Sequence, residues 1–138
     1  MKQVFNEIKI ITKGQNLYNF TPKVIEWVQD EKLNRGILNI NILHTSASIL
    51  VQENADSDVM KDMKIFFDKL VPMDSSYIHK AEGKDDMPAH IKSALTNSNI
   101  SMSIINNNLV LGTWQGLYLF EHRLASHTRK INLHFIGD

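Results

Sequence analysis

Apolar residues recur at two periods along the chain, and the switches between them divide it into strands and helices. From Val4 to Thr12 polar and apolar residues alternate, with Val4, Ile8 and Ile10 on one face of a predicted strand. Thr21 suits a helix cap, Pro22 the first helical position and Gly36 the end. Between them Val24, Trp27, Val28 and Leu33 form a buried stripe. Ile37 to Leu43 alternates again, with Leu38, Ile40 and Ile42 facing one way, and Ala47 to Val51 predicts the next strand. Asp56 or Ser57 caps a second helix in which Val59, Met63, Phe66 or Phe67, and Leu70 recur at helical spacing. Pro72 follows its end. Asp74 to Asp86 is polar, carries Gly83 and reads as a loop, and Pro88 to Thr96 predicts a short helix opened by Asp85 or Asp86.

The remainder is strand-rich. Ile100 to Ile105 and Leu109 to Gly112 are predicted strands joined by Asn106-Asn107-Asn108. Asparagine tolerates the left-handed backbone that a tight hairpin needs. Trp114 to Glu121 and Arg129 to Ile136 are two more strands. About three helices among a larger number of strands, with the strands clustered late, predict an α+β fold with mostly antiparallel pairing.

Length and composition narrow the class. The chain has 138 residues, no repeat and scattered prolines, so a single domain over residues 1–138 is expected. It is far short of the about 250 residues of a (β/α)8 barrel. Fifteen basic and fifteen acidic residues give zero formal net charge, and no basic patch carries interleaved aromatics, so nucleic acid is not an expected partner. There is no cysteine, which excludes disulfides, thiolate catalysis and Cys-type zinc sites. No apolar run approaches the roughly 18 residues of a membrane span, and the first residues lack the apolar block of a secretory signal. A cytoplasmic protein that does not engage a membrane is expected.

Three histidines stand out by position. His44 ends a buried strand, His79 lies in the polar loop and His90 falls in the first turn of the short helix. Three imidazoles can hold a metal and leave a position open for water or substrate. Their separations match no compact metal signature, so a histidine satisfied at a strand end is the competing reading for His44. Acidic residues gather at two helix starts. Asp56, Asp58 and Asp85 are accounted for by capping and the helix dipole. Glu53, which interrupts a strand-like stretch, and Glu82, beside Gly83 and near His79, suit a hard cation such as magnesium. Gly112-Thr113-Trp114-Gln115-Gly116 predicts a bend where the backbone approaches something closely. Ser46 near a histidine raises nucleophilic chemistry, but no GxSxG elbow is present. Arg123 and Arg129 suit either phosphate contacts or surface ion pairs, and the methionines beyond Met1 read as core filler.

The block His44-Thr-Ser-Ala-Ser followed by Glu53-Asn54-Ala55-Asp56 resembles the YjbQ family, also called the secondary thiamine-phosphate synthase family. The resemblance continues through Phe66-Phe67, His79-Lys-Ala-Glu82-Gly83 and Asp85-Asp86-Met87-Pro88-Ala89-His90-Ile91-Lys92. It resumes at Gly112 to Gly116 and at Glu121-His122-Arg123, and reaches Arg129. It implies a β-sandwich-like α+β fold and a homotrimer with the site near subunit contacts. It also implies a divalent metal, zinc or magnesium, at His44, His79 and His90. The implied activity is a weak thiamine-phosphate synthase reaction on a phosphorylated small molecule. There a hydroxymethylpyrimidine diphosphate is coupled to a thiazole phosphate and pyrophosphate leaves. On that expectation Arg129 and the metal neutralise the pyrophosphate, and Glu53 or Glu82 orients the incoming group. Glu82, Asp86 and Gln115 surround the metal or contact substrate. Gln52 stands where a shorter amide or acid is expected, and His122 is not counted as an essential ligand; His127 and His134 lie outside the motifs, with His134 facing away from Leu133 and Phe135. Two other classes share the same polar pocket, a metal-dependent hydrolase and a non-enzymatic metal- or small-molecule-binding module.

Overall fold

Alternation of polar and apolar residues sets one face of each long strand against the interior. The computed structural model describes residues 1–74 and 76–138; within the predicted loop Asp74 to Asp86, Ser75 lies outside the described residues. β1 (Lys2–Ile11) buries Ile8 and Ile10 and pairs antiparallel along its whole length with the last strand, from Lys2 opposite Gly137 to Ile11 opposite Thr128. Two short segments follow it, a strand β2 (Asn16–Asn19) and a helix α1 (Thr21–Asp30). β3 (Arg35–Ile42) and β4 (Ala47–Glu53) precede the second helix, α2 (Ser57–Leu70), and the third, α3 (Asp86–Leu95). The remaining strands are β5 (Asn99–Ile105), β6 (Asn108–Leu109), β7 (Gln115–Glu121) and β8 (Thr128–Gly137).

The strands form two antiparallel sheets, ordered β1-β8-β3-β5-β6 and β2-β7-β4. Leu38, Ile40, Ile131, Leu133 and Phe135 from the first meet Ile49, Leu117 and Leu119 from the second. α1 adds Val24, Trp27 and Val28 to the same core. The other face of the smaller sheet presents Leu17, Leu50, Tyr118 and Phe120, and α2 covers it with Met60, Met63 and Phe67. β7 is therefore buried on both faces from Gly116 to Glu121, which is why its sequence runs apolar without alternation. The α+β class and the antiparallel sandwich are as the sequence predicts.

Several local expectations change. Phe20, not Thr21, occupies the N-cap of α1 and makes no side-chain cap bond. The Thr21 hydroxyl instead accepts the Leu117 N–H of β7 at 2.7 Å. α1 stops at Asp30, and Lys32, at φ 51°, turns the chain before Gly36 is reached. Gly36 lies in β3, where an added Cβ would meet the Ile136 carbonyl oxygen at 2.2 Å. β2 carries no periodic signal at four residues, yet it closes the edge of the smaller sheet. α2 is rotated from the predicted stripe: Met60, Met63 and Phe67 face the sheet, while Phe66 and Leu70 are exposed. The predicted Leu109–Gly112 strand is only Asn108–Leu109. Its turn places Asn106 and Asn107 at φ 51° and 60°, the left-handed pair that a two-residue hairpin requires.

Candidate functional site

α3 begins at Asp86, so Asp86 and His90, four residues apart, project from the same face. The loop ahead of the helix returns His79 to that face. The His79 Nε2 lies 2.6 Å from Asp86 Oδ2, and the His90 Nε2 lies 3.2 Å from the same oxygen. The three potential ligand atoms all lie within 4.8 Å of one another. Asp86 is 2% exposed, whereas the His79 and His90 side chains keep 43% and 32% of their surface, so the cluster is rooted in the core and open on one side.

Two outward-facing atoms of the cluster, His90 Nδ1 and Asp86 Oδ1, are braced. His90 Nδ1 is 2.9 Å from the Thr45 carbonyl. A carbonyl only accepts, so Nδ1 carries a proton, and a neutral His90 has its lone pair on Nε2, aimed at a carboxylate oxygen. Two acceptors face to face repel unless a proton or a cation lies between them. Asp86 Oδ1 accepts from Arg123 Nη1 at 2.7 Å. Burial alone would push the Asp86 carboxyl up, but the His79 bond, Arg123 and both imidazoles outweigh it and hold its pKa below the ordinary carboxylate value. An ionised carboxylate and two imidazole nitrogens form a donor set that fits a borderline divalent ion such as zinc. The carbonyl and guanidinium behind them are the kind of outer partners that orient metal ligands.

The other predicted residues are distributed differently. His44 is outside the cluster. Its Nε2 accepts the Lys130 N–H at 2.7 Å, and burial, then Arg129, lower its pKa. It shares with His90, Thr45, Ala47, Ser93 and Ser98 a cavity of about 320 Å³. Arg129 is 3% exposed, and its guanidinium is committed inside the protein. Its Nε reaches Glu121 Oε2 at 2.7 Å and its Nη2 reaches Ser46 Oγ at 3.0 Å. Thr12 donates to the same Glu121 oxygen at 2.8 Å.

Glu53 and Gln115 face each other at the far end of the β4–β7 ladder, whose near end pairs Ala47 with Glu121. Seven residues of strand separate the ends by roughly 20 Å. There Glu53 Oε2 accepts from the Asp56 N–H at 2.8 Å and shapes the start of α2, while Gln115 Oε1 accepts the Gly112 N–H at 2.8 Å. Trp114 in that turn is 63% exposed. Glu82 contributes its main-chain carbonyl, which accepts from Arg123 Nη2 at 2.9 Å.

Two features were not legible in the sequence. Arg123 grips the start of α3, and Asp85, expected to cap that helix, makes no cap bond but accepts from Arg123 and from the Leu124 N–H. Burial raises the Asp85 carboxyl, and those two donors bring its pKa below the ordinary value. The second feature is a buried pair, Ser48 Oγ and His122 Nε2 at 2.9 Å, with the His122 Nδ1 left without a partner among the described residues. Burial, then Lys92 and Arg129, push the His122 pKa down to about 3, so it is neutral. Its place in Glu121-His122-Arg123 was visible; its depth and its contact with Ser48 were not.

Comparison with known proteins gives this architecture a class. The description UPF0047 protein YjbQ-like matches residues 6–138. The chain belongs to the YjbQ (UPF0047) family. It is 48% identical over 130 residues to the UPF0047 protein sll1880 of Synechocystis, covering 94% of this chain and 88% of that one. It is 35% identical over 125 residues to the UPF0047 protein YjbQ of Escherichia coli O157:H7, covering 90% and 91%. Among solved structures, an uncharacterized YjbQ/UPF0047 family protein of Clostridium acetobutylicum superposes with a TM-score of 0.83 at 33% identity, covering 96% of this chain and 99% of that one. A YbjQ-like protein of unknown function from Sulfolobus solfataricus shares the fold, with a TM-score of 0.90 at 24% identity over 99% of both chains. No helix among the described residues is long and apolar enough to cross a membrane.

Proposed function

We propose that His79, Asp86 and His90 hold a divalent metal, and that the chain uses it to transfer a group between phosphorylated small molecules. The observation that carries this reading is the convergence of two imidazole Nε2 atoms on one buried carboxylate oxygen. When bound, such an ion supplies positive charge that stabilises a departing phosphate group. The remaining work falls to the chain. Beside His79 lies an open surface cleft of about 690 Å³ bordered by Tyr77, Ile78, Met87 and Lys80. Its apolar wall suits a heteroaromatic ring, and the Lys80 ammonium suits a phosphate.

The reaction that fits these parts best is of the thiamine-phosphate synthase type, as a secondary activity. The bond from a pyrimidine methylene to a pyrophosphate oxygen breaks, a bond from that methylene to a thiazole nitrogen forms, and pyrophosphate leaves. Such phosphorylated substrates are cytoplasmic, and the reading places the chain there.

The separation of Glu53 and Gln115 from the histidines bears on assembly. A cyclic homotrimer joined head to tail would bring the Glu53–Gln115 end of one copy to the histidine end of the next. Light scattering gives the stoichiometry, and a monomer would remove this part of the reading.

The test is elemental analysis of protein purified without a histidine tag, followed by incubation with both substrates. Near-stoichiometric zinc or another divalent ion, and coupled product that appears only with the thiazole phosphate present, support the proposal. Phosphate release without the thiazole acceptor would replace transfer by hydrolysis. Absence of metal after incubation with zinc and magnesium would overturn the metal centre.

A further inference from the structure

Arg123 organises the start of α3 beside the His79–Asp86–His90 cluster. It lies just beyond β7 and reaches across to the start of α3, with 14% of its side chain exposed. Its guanidinium engages three acceptors at once. Nε reaches Asp85 Oδ2 at 2.9 Å, Nη1 reaches Asp86 Oδ1 at 2.7 Å and Nη2 reaches the Glu82 carbonyl at 2.9 Å. The Leu124 N–H closes on the same Asp85 oxygen at 2.8 Å. One planar fork therefore ties the loop, the helix start and the end of β7 together, and it takes one of the two Asp86 oxygens.

Asp86 Oδ2 is left facing His79 and His90. Carboxylates ligate divalent ions through one oxygen or two. With Oδ1 turned toward Arg123, Oδ2 is the oxygen presented to an ion, which favours the single-oxygen mode. Two nitrogens and one oxygen then leave a fourth position open for water or substrate, as catalytic zinc sites require. A second Asp86 oxygen would fill it. The charges agree: Asp85 and Asp86 are two negative groups, Arg123 balances one, and the other remains for the ion.

We propose that Arg123 is a positioning residue that holds Asp86 Oδ1 and thereby restricts the carboxylate to one-oxygen ligation, keeping a coordination position open at the His79–His90 pair. This rests on the metal-centre reading above. Lysine cannot substitute, because a single ammonium has no planar fork to span the three acceptors.

The experiment uses Co2+ as a spectroscopic probe in the full chain, with R123K, D85N and H90A. The wild type is expected to show the intense visible absorption of four-coordinate Co2+. R123K is expected to show the weaker absorption of a higher coordination number, with Co2+ affinity falling roughly 10- to 100-fold, the range typical of outer partners of metal ligands. D85N breaks the same clamp on its structural side and leaves the Asp86–Arg123 contact. It is expected to lower the melting temperature and keep the wild-type spectrum.

Infrared difference spectra of the wild type on Zn2+ loading report the ligation mode without any variant, and the wide carboxylate band separation of one-oxygen binding is expected. An R123K spectrum and affinity equal to wild type, a D85N spectrum shifted as far as that of R123K, or a two-oxygen infrared signature would each overturn the proposal. The two readings fail separately. If the wild type binds no Co2+ or Zn2+, the metal centre itself is wrong. If it binds and H90A does not, the centre stands whatever R123K does.

Discussion

His90 donates a hydrogen bond from Nδ1 to the Thr45 carbonyl at 2.9 Å, and that bond turns the other ring nitrogen toward Asp86, 3.2 Å away. A main-chain carbonyl between β3 and β4 thus sets the tautomer of a side chain on α3. The ring is oriented by the fold around it rather than by its neighbours in sequence.

Replacing His90 with Ala removes its Nε2 from the cluster and its single bond to the Thr45 carbonyl, at a side chain that is one-third exposed. Metal affinity is expected to fall by more than about 100-fold, beyond the loss typical of an outer partner, while the melting temperature of the metal-free protein stays near wild type. Full retention of metal would exclude His90 as a ligand. Competition with a chromophoric chelator, alongside circular dichroism, reads both quantities.

The buried neutral His122 predicts an acid-side loss of stability. Its folded pKa is about 3 against an ordinary 6.5. The unfolded chain therefore binds a proton between these values that the folded chain does not. Stability falls as pH drops below the unfolded value and stops falling near the folded one. Between about pH 7.5 and about pH 5.5 this single group accounts for about 1.4 kcal/mol. Urea denaturation at the two pH values should show that extra loss in the wild type and not in His122→Gln. Equal slopes would mean that His122 titrates normally in the folded protein.

Glu121 and Arg129 form a pair with almost no exposed surface. Burial pushes the Glu121 carboxyl up, but Arg129, the Arg123 N–H and the Thr12 hydroxyl outweigh it and hold its pKa below the ordinary value. The stabilisation is present above the unfolded carboxylate range and is lost as pH falls through the folded value. Arg129→Met leaves the carboxylate buried with no cation and is expected to cost about 3–5 kcal/mol. The double variant Glu121→Leu/Arg129→Met is expected to recover much of that loss. A single variant as stable as wild type would show that the pair is open to water.

Gly36 admits no side chain. An added Cβ would meet the Ile136 carbonyl oxygen at 2.2 Å and the Phe135 ring at 2.7 Å. Gly36→Ala must push β3 and β8 apart at their ends and is expected to destabilise by about 1–3 kcal/mol. Thermal unfolding decides this, with no change in melting temperature as the contrary result.

Much of the fold could be read from periodicity because burial acts on alternate residues. Leu38, Ile40 and Ile42 in β3 declare their face, and Asn106-Asn107 declares a hairpin. α2 was legible as a helix but not in its rotation, because apolar residues on two overlapping stripes leave the choice to Leu50, Tyr118 and Phe120 of the sheet beneath. β2 was not legible because its pairing with β7 comes from a distant partner.

At the site, the sequence alone determined the residue types, the helical spacing that puts Asp86 and His90 on one face, and the family to which these motifs belong. Only the tertiary structure decided which histidines and arginines meet them. His79 reaches the cluster and His44 does not, because one lies in the loop that folds onto α3 and the other is pinned by the Lys130 N–H. Arg123 and Arg129 carry the same charge six residues apart. Arg123, just beyond β7, reaches the Asp86 carboxylate, and Arg129, on β8, is buried against Glu121. That difference comes from where two strands end in space, which periodicity along the chain does not encode.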